Sequence, residues 1–114
     1  MSLMEAAANY VVVLITTGTQ EEGLTIAQAL VADRLAACVN IITPIESVYR
    51  WQGQVRQERE SLLLVKTVRE HIAPLTKRVT ELHSYQVPEI VALPICAGSA
   101  AYLRWISEQT ATAG

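Results

Sequence analysis

Apolar positions run without a break from Tyr10 to Ile15 and close on Thr16-Thr17. Such a β-branched run fills a strand that is central in its sheet or covered on both faces. Gly18 ends it. Thr19 is followed by Glu22 in the spacing of a helix capping box, and Glu21 adds charge favourable to a helix N-terminus. Leu24, Ala27, Leu30, Val31 and Leu35 then recur at helical spacing, which predicts a helix ending near Leu35 or Ala36 with one face on the sheet. A second extended run goes from Cys38 to Trp51. Pro44 lies inside it and cannot donate to a ladder, so the strand is at an edge or bulged there. Gln52-Gly53 supplies a turn and Val55 to Val68 runs back. The tip of this hairpin is polar, its base (Leu62-Leu63-Leu64-Val65) core-like. Its arms exceed the usual strand of ~5–6 residues, so the tip is expected to project beyond the domain body. Leu75, Val79 and Leu82 predict a helix from Arg69 to His83, with Pro74 confined to its first turn. The apolar strand Ile90 to Ile95 follows, Gly98 breaks it, and Ala101 to Ile106 forms a short closing helix.

The order strand, helix, strand, strand, helix, strand describes an α+β chain. Two right-handed split crossovers make it a ferredoxin-like βαββαβ sandwich, with an antiparallel sheet ordered 4-1-3-2 and both long helices on one face. The 114 residues suit one domain, taken as 10–108. Residues 1–9 read as a cloning remnant (Met1-Ser2-Leu3) and a flexible start, and 109–114 as a flexible tail. Composition is 51% hydrophobic and 18% charged. No stretch reaches the ~20 apolar residues of a membrane span, so the surplus belongs in a large core or a subunit interface. An apolar sheet with one open face and a projecting edge hairpin favours self-association.

A net charge of −2 with no basic stripe argues against nucleic-acid binding. Without a secretory signal pattern, cytoplasm is the expected compartment. The two cysteines, Cys38 and Cys96, form no zinc-type spacing. They are expected on opposite sheet edges as free, structural, buried small hydrophobes.

Chemistry concentrates in one octet, His83-Ser84-Tyr85-Gln86-Val87-Pro88-Glu89-Ile90, at a helix-to-strand junction. No Gly-rich phosphate loop, nucleophile elbow or paired ligand spacing accompanies it, so neither catalysis nor a required cofactor is expected. Glu58 and Glu60 share one strand face and Lys66 continues their parity. Trp51, Tyr49 and Tyr85 are candidate aromatic walls, and Glu89 another carboxylate. Two readings stand for this set. One is a solvated hairpin with Trp51 as an interface anchor. The other is a small-molecule cleft between subunits, anchored by Lys66 and His83.

Together with Leu35-Ala36-Ala37-Cys38-Val39-Asn40, Tyr49-Arg50-Trp51-Gln52-Gly53 and Lys66-Thr67, the octet resembles CutA, the divalent-cation tolerance family. The resemblance spans residues 11–106. It implies a homotrimer in which hairpins extend neighbouring sheets, and a role in tolerance of divalent cations such as copper, with Cu(II) or another divalent cation as ligand. Some relatives are associated with copper through a Cys at the end of the first strand and a His-His pair. Those positions are Ile15, Leu82 and His83 here, which leaves His83 as the one metal candidate and implies weak binding. The alternative, by analogy with trimeric PII signalling proteins, is a sensor taking a small anionic effector in the intersubunit cleft.

Overall fold

The computed structural model describes residues 7–112. Its elements are β1 (Tyr10–Thr17), α1 (Gln20–Ala32), β2 (Cys38–Trp51), β3 (Gln54–Val68), a 3-10 turn (Arg69–His71) leading into α2 (Ile72–Leu82), β4 (Ile90–Pro94) and α3 (Ala100–Thr110). The sheet is antiparallel in the order β2-β3-β1-β4. It matches the expected order read from the other edge, and β1 is central.

Alternation divides the sheet into two faces. Val11, Val13 and Ile15 of β1 and Leu63 and Val65 of β3 meet Ile26 and Leu30 of α1 and Leu75 and Val79 of α2 in one core cluster. The opposite face carries Val12, Leu14, Leu62 and Leu64, all half-buried, with Ile42, Val91 and Leu93 each 47% exposed. One end of that face is closed by α3, where Leu103 and Ile106 join Ala7, Ala37 and Val68 in a second cluster. The centre stays apolar and open.

Local chemistry accounts for most element ends. Thr19 Oγ1 accepts from the Glu22 N–H, as the capping spacing requires. Ser99 caps α3 in the same way through Tyr102 N–H. Gln52 and Gly53 both have positive φ (50° and 77°), so the hairpin closes in a two-residue turn whose twist suits the strands. Pro44 sits at a register shift between Ile42 and Ile45, and β2 is an edge strand, as its proline demanded. The hairpin projects: the principal extents are 48 × 28 × 22 Å.

Three expectations need correction. First, α1 stops at Ala32, short of Leu35. Arg34 turns left-handed (φ 59°), and the Arg34 and Leu35 N–H groups donate back to the Val31 and Leu30 carbonyls. This is the usual glycine-type helix ending built without glycine, so no glycine marks it in the sequence. Second, α3 runs through Thr110, past the expected boundary at 108. Thr110 is buried, and its carbonyl accepts a bond from His71 Nε2 at 2.7 Å. The start is tied down as well, since Asn9 O accepts from Arg69 N–H. The cloning-remnant reading of Met1-Ser2-Leu3 and the last two tail positions lie outside the described residues. Third, Cys96 is exposed and Cys38 only half-buried, because Cys96 follows the end of edge strand β4. Both are free thiols.

Leu63 is fully buried between β1 and α1, and truncating it leaves a cavity in a close-packed core. Leu63→Ala should lower unfolding free energy by about 2–5 kcal/mol in chemical denaturation, and Thr19→Ala by about 1 kcal/mol.

Candidate functional site

Beyond the end of the sheet body, β2 and β3 continue as the projecting hairpin. The bulge at Pro44 inserts one extra residue, which reverses the parity of β2. After it, Ser47, Tyr49 and Trp51 stand opposite Glu58, Arg56 and Gln54 and share their face. The loop after α2 packs against this face. Together they line an open cleft of about 770 Å³, whose walls include Tyr49, Trp51, Arg56, Glu58, Tyr85 and Glu89.

Glu60 marks the inner end of the cleft and is 8% exposed. Tyr85 Oη donates to Glu60 Oε2 at 2.7 Å. Burial, that hydrogen bond, and the charges of Glu60 and Glu58 together push the Tyr85 phenol well above the ordinary 10.0. Tyr49 is also raised, first by loss of surrounding water and then by the Glu58 carboxylate beside it. The Tyr85 ring passes close over Gly18, where a Cβ would lie 3.2 Å from Tyr85 Oη.

His83 lies underneath, 8% exposed. Tyr85 N–H donates to its Nδ1 at 3.0 Å, so Nδ1 carries no proton. Nε2–H donates to the Thr16 carbonyl at 2.7 Å. The two rings pack tilted by 49°, with 4.7 Å between centroids. Glu22, whose backbone N–H the Thr19 cap binds, sends its carboxylate to accept from Ser84 N–H at 3.0 Å. Thus two bonds through one imidazole, which uses both its nitrogens, and the Glu22–Ser84 bond pin the loop to β1 and α1.

Of the residues expected at a pocket, the structure brings together Trp51, Glu58, Glu60, Tyr85 and Glu89. It does not bring Lys66, although the parity argument was sound. Lys66 lies six residues from Glu60, roughly 20 Å along the strand, and faces Val12 and Cys38 instead. His83 is no cationic anchor either, since it sits below the wall with both nitrogens engaged. Arg56 was overlooked, although its alternation with Glu58 and Glu60 was a usable signal. Glu46 is paired with Arg59 at 3.0 Å, which leaves Glu58, Glu60 and Glu89 against Arg56 in the lining, so the field in the cleft favours cations over a small anionic effector. Among the described residues, no three or more His, Cys, Asp or Glu side chains converge to hold a metal ion. Neither is any helix there long and apolar enough to cross a membrane.

A small α+β chain with one uncovered apolar sheet face, a projecting hairpin and an acidic aromatic cleft at its base is the class of protein defined so far. The chain belongs to the CutA1 divalent ion tolerance family, whose sequence pattern it matches over residues 11–109. It is 56% identical over 99 residues to the divalent-cation tolerance protein CutA of Thermus thermophilus, covering 87% of this chain and 96% of that one. The chloroplastic CutA of Arabidopsis thaliana is 46% identical over 100 residues, covering 88% of this chain. The chain spans 55% of that relative's length and 96% of the Thermus protein's. The solved T. thermophilus structure superposes with TM-score 0.88 at 54% identity, covering 90% of this chain and 99% of that one. A structure from Archaeoglobus fulgidus described as a periplasmic divalent cation tolerance protein gives 0.87 at 38% identity, covering 90% and 99%.

Because the folded phenol of Tyr85 ionises above its unfolded value of 10.0, it contributes stability that is complete below about pH 10 and is lost as pH rises further. Thermal unfolding followed from pH 8 to 11.5 should show a falling Tm above pH 10, with a shallower fall in Tyr85→Phe. An equally steep fall in the variant would remove Tyr85 as its source.

Proposed function

We propose that this chain is a non-enzymatic, cytoplasmic homotrimer that supports tolerance of divalent cations such as copper, taking the cation directly but weakly at the acidic cleft. The observation that carries this is the cleft itself: with Glu46 paired to Arg59, Glu58, Glu60 and Glu89 still face one lining guanidinium, Arg56, on an aromatic-walled surface. With no three ligands convergent among the described residues, the cation would be held through its charge and its waters, with remaining ligands from a neighbouring subunit. The relatives' names as tolerance proteins support the role, and none names a catalytic activity. Two free cysteines suit a reducing compartment.

Trimerisation is supported by the uncovered face. Leaving Ile42, Val91, Leu93 and their half-buried neighbours in water forgoes burial worth about 25 cal/mol per Å². The edge strand β2 also offers unpaired backbone groups along the hairpin. Light scattering at micromolar concentration should report three times the mass of one chain, and Trp51→Ala should weaken assembly by up to a few kcal/mol. A folded monomer would sink the assembly.

The cation reading is tested by calorimetric titration of Cu(II) into wild type and the double variant Glu58→Gln, Glu89→Gln. A divalent ion about 6 Å from a unit charge in water gains roughly 1.4 kcal/mol, so each removed carboxylate should cost about tenfold in affinity. Equal affinities would place the cation elsewhere.

A further inference from the structure

We propose that His83 is a positioning residue that seats Tyr85 on Glu60, and that metal binding by this chain does not pass through its imidazole. The family resemblance makes His83 the expected ligand, and the geometry opposes it. A metal ligand needs a ring nitrogen with its lone pair free. Here the Nδ1 lone pair accepts Tyr85 N–H, and Nε2 spends its proton on the Thr16 carbonyl. Freeing either nitrogen strands a partner in a place where His83 itself is 8% exposed, so a polar group would be left buried and unpaired. Nor do the neighbours form a ligand set. Glu22 is committed to Ser84 N–H and Glu60 to the Tyr85 hydroxyl.

What the imidazole does instead follows from the same contacts. It joins the end of β1 to the loop after α2, holds the chain direction at Tyr85, and packs tilted against that ring. The phenol is thereby delivered to Glu60 Oε2. Without it, among the described residues the 83–89 loop would be tied to α1 and β1 by the Glu22–Ser84 bond alone, and the inner wall of the cleft would lose its fixed shape. His83 thus acts on the cleft through Tyr85. The inference deepens the cleft reading above, but its test reads the imidazole directly and so can fail separately.

Asparagine separates the two roles. In His83→Asn the side-chain oxygen takes the place of Nδ1 as acceptor for Tyr85 N–H, while the amide is a poor copper ligand. Long-range proton–nitrogen spectra of the wild type should show a neutral ring with Nε2 protonated and Nδ1 accepting, unchanged by one equivalent of Zn(II). Tyr85 amide exchange should be protected in wild type, at least tenfold faster in His83→Ala, and largely restored in His83→Asn. Cu(II) affinity in His83→Asn should stay within about twofold of wild type. A metal-dependent shift of either ring nitrogen would overturn the proposal. So would a tenfold loss of copper affinity in His83→Asn with Tyr85 protection intact, or unchanged Tyr85 exchange in His83→Ala. If neither variant folds, the wild-type spectra decide alone. Copper that binds neither protein would defeat the cation reading of the cleft and leave His83 as a pin.

Discussion

The strands β1 and β3 present apolar side chains on both faces, yet α1 and α2 pack on only one of them. Most of the architecture answers that imbalance. The helix-facing set is closed in the ordinary way, by Ile26, Leu30, Leu75 and Val79. The second set is handled in pieces: α3 folds over the end near Tyr10 and Val68, the loop after α2 caps the end near Thr16, and the middle is left bare. A chain of this length lacks enough helix to finish the task. What remains uncovered is the surface on which the proposed trimer rests, and in such an assembly association would be part of folding.

The cleft arises where this sheet outruns its helices. Past the Pro44 bulge most residues of β2 and β3 are polar, and the apolar Val48 and Val55 among them are exposed. The bulge decides which of them look inward: by inserting one residue it sets Tyr49 and Trp51 on the face of Glu58 and Glu60, where an unbroken ladder would have sent them away. Against that face the 83–89 loop is held by side chains and carbonyls from α1, β1 and β3, elements far apart in sequence. The wall is shaped by tertiary bonds, and its charge by the strand.

How far the amino-acid sequence could be read depended on whether the cause was local. The strands, the Thr19 cap, the Gln52-Gly53 turn and the edge position forced by Pro44 were all legible, because each rests on a few adjacent residues. The end of α1 was not, since Arg34 takes a conformation that glycine normally advertises. The length of α3 was not, since Ser107, Glu108 and Gln109 show no apolar stripe and the helix is secured from outside by His71 and Arg34. In the cleft, the carboxylates and aromatic rings were visible by alternation. Lys66 was misjudged because shared parity says nothing of distance along a strand. His83 was recognised as special for the wrong chemistry: its partners are a carbonyl in β1 and a backbone N–H, and main-chain atoms leave no mark in a sequence.

The two-residue turn at Gln52-Gly53 fixes the register of both arms, with Trp51 opposite Gln54 at the tip. The hairpin is consequently a ruler whose length changes only in quantised steps. Adding two residues to each arm would carry the tip about 7 Å farther and keep every side chain on its present face. Adding one to each would exchange the faces, turning the carboxylates of the cleft outward and Val48 and Val55 inward. Reach and cleft chemistry are therefore separable by parity alone. Lineages that lengthen or shorten this arm should do so in pairs of residues, or else rebuild the site.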